Sequence, residues 1–199
     1  MQKVIIIPGL GDHVQITRQM VAGWKKKGLL PIIYRANWFN QENLETKLNN
    51  LKVFVDKESA NNNKVSVIGC SAGGSLALNL FLARGDLINK VISVCGRLKK
   101  GDYKGFRSFE TRSKNSKAFE ESVISLEERI GNLTHDQLER IMTINPLFGD
   151  ELVPSDTAII YGAKNTTIPT IGHTISIYMA LSVFSNTLTS FIKDKDDIH

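Results

Sequence analysis

The sequence predicts an α/β fold, a mostly parallel sheet covered by helices on both faces. Three observations carry this. Short apolar runs alternate with stretches of helical spacing. The run at residues 4–7 is continuously apolar, as a strand buried on both faces should be, and those at 65–68 and 91–95 are mostly apolar. Glycine-containing turns follow the runs at 4–7 and 65–68 and precede helices.

The elements follow in order. Residues 4–7 form the first strand. Residues 12–27 follow as a helix with Val14, Ile16, Met20, Val21 and Trp24 apolar and Gly28 as its C-cap. Residues 30–34 are the second strand, and 43–57 a helix with Leu44, Leu48 and Leu51 on one face. Asn61-Asn62-Asn63 is a turn. The strand at 65–68 leads into a small-residue apolar helix at 72–83, and 91–95 is the fourth strand. The alternation then stops. Residues 96–140 read as a small helical cap or insertion, with helices at 117–130 and 135–140, the second capped by Thr134. Residues 141–148 resume as a strand, 155–161 stay unassigned, and 165–168 form the last strand. One amphipathic helix is expected over 171–193, then a frayed charged tail to residue 199.

At 199 residues, 42% hydrophobic and 23% charged, the chain reads as one domain with a proper core. No apolar run approaches the roughly 20 residues of a membrane span, and the N-terminus lacks the features of a signal peptide. Cys70 and Cys95 both end apolar runs, which points to buried thiols in a reducing compartment and a cytoplasmic location. No Cys/His spacing suggests a metal site. The net charge of +5 is concentrated. Eight basic residues (Arg97, Lys99, Lys100, Lys104, Arg107, Arg112, Lys114, Lys117) face only Asp102 and Glu110. This segment reads either as a solvated excursion or as a cap attracting an anionic substrate or anionic membrane surface. No nucleic-acid-binding motif accompanies the charge. Oligomeric state is not legible.

The chemistry centres on Gly69-Cys70-Ser71-Ala72-Gly73. G-x-S-x-G is weak alone and strong between a strand and a helix, where the serine occupies a sharp turn and its neighbours two residues away must be small. Cys70 is intrinsically the better nucleophile, but its register points it into the fold. An oxyanion needs two aimed amides. Ala72 supplies one, and Pro8-Gly9-Leu10-Gly11 the other, with Leu10 preferred and Gly11 second. His13 borders that loop. Among four histidines, His173 is the candidate base, since Gly172-His173 forms a loop late in the fold, before the last helix. His135 is expected at an exposed helix start and His199 is terminal. Two registers compete for the acid. One places Asn165 at the acid position, without a carboxylate. The other places Asp150 after the strand at 141–148 and keeps a further strand before His173; it is preferred, with Glu151 and Asp156 as poorer alternatives.

These residues carry a resemblance to the α/β-hydrolase superfamily, in its compact esterase and lipase group. Ile5-Ile6-Ile7-Pro8-Gly9-Leu10-Gly11 resembles the family's strand and oxyanion loop, with Pro8 where many members carry histidine. Asp150-Glu151-Leu152-Val153-Pro154 resembles the stretch holding the family's acid. The run from Gly162-Ala163-Lys164-Asn165 to Gly172-His173 is similar to the one ending in the family's base. The resemblance implies that Asn165 lies in a strand and leaves Asp150 as acid. It implies a Ser71-Asp150-His173 triad cleaving a small-molecule carboxylic ester or thioester, with no metal or organic cofactor. The chain starts at the first parallel strand, so the family's antiparallel edge strands are expected to be missing. A non-catalytic binding protein on the same fold is the alternative.

Overall fold

The computed structural model describes residues 1–59 and 64–194. The turn expected at 61–63 and most of the charged tail lie outside these residues. Six parallel strands form one sheet: β1 (Gln2–Ile7), β2 (Leu29–Ile33), β3 (Val65–Cys70), β4 (Ile88–Val94), β5 (Ile141–Pro146) and β6 (Lys164–Ile168). Their spatial order is β2-β1-β3-β4-β5-β6. From β1 the chain moves outward to β2, then returns past β1 to β3. Beyond the C-terminal ends of β1 and β3 the connections diverge, which opens a crevice at this switch point.

Side-chain alternation divides the core in two. Ile5, Ile7, Val65, Val67, Val91 and Ile141 face one layer, formed by α2 (Leu44–Glu58), α3 (Ala72–Arg84) and α5 (Lys117–Ile130). Val4, Ile6, Ile68, Ile92, Met142 and Ile144 face the other. That second layer holds Val21 and Trp24, together with α7 (His173–Leu181) and α8 (Ser185–Lys193).

Two expected helices are broken. Residues 12–27 divide into α1 (Val14–Met20) and a 3-10 segment, Ala22–Lys27. Asp12 is withdrawn from the helix. It sits at φ +45°, and its carboxylate accepts the Ala36 and Trp38 N–H groups at 3.0 and 3.3 Å. Gly23 weakens helix continuation by about 1 kcal/mol relative to alanine. The tighter segment buries Trp24, whose indole N–H donates to the Leu181 carbonyl at 2.9 Å.

The helix expected over 171–193 is two helices, α7 and α8, bent by 54°. A straight helix of that length would run about 34 Å, against roughly 20 Å for a six-residue strand, so it would overshoot the sheet. The break follows Ser182, whose hydroxyl donates back to Tyr178 at 2.6 Å, and it lets α8 bury Leu188, Phe191 and Ile192. Among the described residues no single helix is long and apolar enough to cross a membrane.

The excursion after β4 has two parts. Its second part, α5, belongs to the helical layer. Between α3 and α5 lies a buried polar network: Ser75 and Ser122 hydroxyls 2.6 Å apart, and the Asn79 amide donating to the Ser75 and Ser122 carbonyls at 2.9 and 2.8 Å. Unpaired polar groups are costly in that setting, so the network fixes one register of α5 on α3. The first part is short and tight. It includes a 3-10 turn, Gly105–Arg107, and α4 (Phe109–Ser113). A short helix, α6 (His135–Glu139), follows α5 and starts with a Thr134–Gln137 capping box.

Candidate active site

Ser71 links β3 to α3 at φ +53°, ψ −122°, a left-handed-side conformation that costs a non-glycine residue roughly 1–3 kcal/mol. The fold leaves it no alternative. A Cβ on Gly69 would lie 2.0 Å from the Gly73 carbonyl oxygen, and one on Gly73 would lie 2.2 Å from that of Ile7. The turn therefore closes only with glycine at both positions. Its product is a hydroxyl held at the C-terminal edge of the sheet, at the start of α3.

The Ser71 Oγ lies 2.8 Å from His173 Nε2, and His173 Nδ1 lies 2.7 Å from Asp150 Oδ2. His173 and Asp150 are 4% and 8% exposed. Asp150 reaches this place because pairing continues beyond β5 and β6. The Leu147 N–H donates to Ile168, the Phe148 N–H to Thr170, and the Gly172 N–H to Gly149. The second Asp150 oxygen, Oδ1, accepts the N–H groups of Leu152 and Val153 at 2.8 and 2.9 Å. Glu151 accepts the backbone N–H of His173 at 2.8 Å. Gly172, at φ +80°, turns the chain so that α7 begins with His173. A hydroxyl, an imidazole and a carboxylate joined in this order form a path by which a proton can leave the hydroxyl.

Asn165 is elsewhere. Its side-chain oxygen accepts from Thr143 Oγ1 and the Ile160 N–H, and its amide donates to the Ile160 and Ala163 carbonyls. It pins the turn before β6. Asp156 accepts from the Tyr103 hydroxyl at 2.6 Å. His135 is exposed and pairs with Glu139. His199 lies outside the described residues.

The loop after β1 closes over the serine. A Cβ on Gly9 would sit 2.8 Å from Ser71 Cβ, so that loop and the elbow are in contact. Among the described residues neither the Leu10 nor the Ala72 amide has a hydrogen-bond partner. The Trp38 indole donates to the Pro8 carbonyl at 3.2 Å and braces the loop. A cleft of about 330 Å³ opens beside Ser71 and His173. Leu10, Gly11, His13 and Cys70 line it, with Ile16, Met20 and Ile177 as its apolar wall. Burial pushes the Cys70 thiol up to about 12, so it is protonated and a poor nucleophile at neutral pH. Cys95 is also buried and shifted upward, by burial first and then by the nearby Asp150 charge. Among the described residues no group of three or more His, Cys, Asp and Glu has metal-binding geometry.

Two roles escaped the sequence reading, which named Glu151 only as an alternative acid. Glu151 holds the histidine's backbone, and Arg112 lines the cleft. Arg112 was visible only as one of a basic run, with no periodicity to separate it from its neighbours.

No protein-family model and no curated protein matches the sequence. Solved structures share its fold. An α/β hydrolase from the metagenome of sediments of the Mar Chica lagoon, Morocco, superposes with a TM-score of 0.67 at 18% identity, covering 96% of this chain and 90% of that one. The ydeN gene product of B. subtilis gives 0.68 at 16% identity, covering 98% and 100%. A monoacylglycerol lipase from Paleococcus ferrophilus gives 0.66 at 13% identity, covering 96% and 93%. With its six-stranded parallel sheet, its serine elbow and this similarity along almost the whole chain, the protein has the α/β-hydrolase fold.

Proposed function

We propose that the protein is a serine hydrolase that cleaves carboxylic esters or thioesters through an acyl-enzyme on Ser71. The observation that carries this reading is the continuous hydrogen-bonded path from Ser71 Oγ through both nitrogens of a buried His173 to Asp150. The esterase and lipase character of structural neighbours, such as the monoacylglycerol lipase, supports the same reaction class.

In this mechanism Ser71 Oγ bonds to the acyl carbon while its proton passes to His173 Nε2. The carbonyl electron pair moves onto oxygen, where the Leu10 and Ala72 amides donate to it. Asp150 stabilises the imidazolium and holds Nδ1–H in place. Collapse breaks the bond to the leaving oxygen or sulfur, which takes the proton from Nε2. Water then repeats the sequence on the acyl-enzyme, releasing the carboxylic acid and restoring Ser71. Cys70, protonated and buried, takes no part.

The test is labelling by a fluorophosphonate probe together with hydrolysis of p-nitrophenyl butyrate. Wild-type protein is expected to do both and Ser71→Ala neither. Wild-type protein that takes no label and cleaves no activated ester would instead be a binding protein on this fold.

A further inference from the structure

Beside the cleft at Ser71 lies a second, narrow recess that shares part of its lining. Leu10, Ser71, Leu152 and Arg112 border both spaces, so Arg112 stands at their junction. Arg97 lines the recess. Among the described residues no aspartate or glutamate lines either space.

The two arginines differ in what they have left to offer. Arg97 is 1% exposed, and its guanidinium is spent on the backbone carbonyls of Lys99, Lys100 and Arg107. Carbonyls satisfy its hydrogen bonds but do not neutralise its charge. Among the described residues it forms no ion pair. The carboxylates that act on it from a distance are Glu110, which is exposed, and Asp156, which is engaged by Tyr103. Arg112 is half-buried. Among the described residues its guanidinium makes no hydrogen bond and no ion pair; it rests over the Phe106 ring at 4.9 Å. Its backbone is well held. Ser108 caps α4 by accepting the Thr111 N–H, and Phe109 packs against Phe119 and beneath Arg97. Among the described residues the recess thus carries one buried guanidinium without an ion pair and one positioned guanidinium with its donors open.

We infer that Arg112 determines specificity by binding an anionic group, a carboxylate or phosphate, carried by the substrate close to the bond cleaved at Ser71. A guanidinium presents paired donors that match such groups, and the fixed charge of Arg97 adds to the local positive field. The apolar wall at Ile16, Met20 and Ile177 receives the rest of the molecule. This inference names the substrate class of the proposed hydrolase and rests on that reading. The anion belongs either to the acyl group or to the leaving group, since Arg112 borders the cleft beside Ser71.

The experiment compares matched pairs of esters. Mono-p-nitrophenyl glutarate against p-nitrophenyl pentanoate tests an acyl-side anion. 3-Acetoxybenzoate against methyl 3-acetoxybenzoate tests a leaving-group anion. The readout is the ratio of kcat/KM within each pair, which a general loss of folded protein does not move. In at least one pair the ratio is expected to fall roughly ten- to hundred-fold from wild type to Arg112→Met, as for loss of a charged hydrogen bond, with partial retention in Arg112→Lys. Ratios that stay within threefold in both pairs overturn the inference while leaving the hydrolase intact. A second measurement separates the two claims. Monomethyl glutarate is expected to bind Ser71→Ala by calorimetry more tightly than dimethyl glutarate, and Arg112→Met in that background removes the difference. If wild type turns over no ester but this difference is present, the hydrolase reading falls and the anion site stands. Neither turnover nor a binding difference overturns both.

Discussion

Asp150→Asn is the most informative single change, because the structure dictates how the new amide must sit. Asp150 Oδ1 accepts two backbone N–H groups, from Leu152 and Val153. An asparagine at this position keeps its oxygen there, since a flipped amide would face two donors with a third. That flip forfeits two hydrogen bonds, about 1 kcal/mol each and more once buried donors are left unpaired. The side-chain NH2 is therefore presented to His173 Nδ1, 2.7 Å away in the native arrangement. Nδ1 must then act as acceptor, which places the imidazole proton on Nε2, facing Ser71. In that tautomer Nε2 cannot take the serine proton. A comparable tautomer reversal in serine proteases lowers kcat about 10⁴-fold, and we expect a loss of that order, about 5 kcal/mol of transition-state stabilisation. The change is nearly isosteric and keeps the Leu152 and Val153 bonds, so the urea midpoint should shift little. The assay is kcat/KM on p-nitrophenyl butyrate beside urea unfolding of the same preparation. Activity within tenfold of wild type would refute the tautomer argument and Asp150 as the acid.

Three further outcomes are expected. Gly73→Ala drives a methyl to within 2.2 Å of the Ile7 carbonyl oxygen, a backbone atom that cannot rotate away. It should cost at least 1–3 kcal/mol in urea unfolding and displace Ser71, with a loss of fluorophosphonate labelling. Asn79→Ala removes the amide that donates to the Ser75 and Ser122 carbonyls and the acceptor for Ser125 Oγ. The partners left behind should lower stability by about 1–3 kcal/mol, and an unchanged urea midpoint would show that the network is replaced by solvent. Cys70 titrates near 12 in the fold but near 9.0 when unfolded, so above pH 9 the unfolded chain has lost a proton that the folded chain keeps. Stability should therefore fall as pH rises from 9 towards 12, by about 1.4 kcal/mol per pH unit for this thiol. Cys70→Ala should show a correspondingly shallower decline in unfolding free energy between pH 9 and 10.5, and equal slopes would argue against burial of the thiol.

The strand runs at 4–7, 65–68 and 91–95 were legible because strands buried on both faces are mostly apolar, with only Ser66 and Ser93 interrupting them, so the pattern is local. The elbow was legible for a related reason. Gly69 and Gly73 are demanded by contacts within a few residues of Ser71 and with the adjacent β1. The helix over 171–193 was misread because its apolar periodicity does continue across Ser182, and only the limited length of the sheet makes it bend. The basic run at 97–117 was legible as charge but not as geometry. Composition says that eight cations lie together. Only packing separates Arg97, which is buried against carbonyls, and Arg112, which borders the serine, from the exposed Lys100, Lys104 and Lys114.

The sequence by itself determined the order of the strands, the serine turn and the histidine that is its candidate partner, because each rests on residue type and short-range spacing. The tertiary structure decided which of two competing side chains, Asp150 or Asn165, meets His173. Asp150 and Asn165 lie 15 positions apart on the chain, and either satisfied the residue pattern to a different degree. The pairing that continues from β5 and β6 through Phe148 and Thr170 brings Asp150 to Nδ1 and turns Asn165 towards Ile160. Such a meeting depends on long-range backbone hydrogen bonds, which leave no mark in the side-chain sequence.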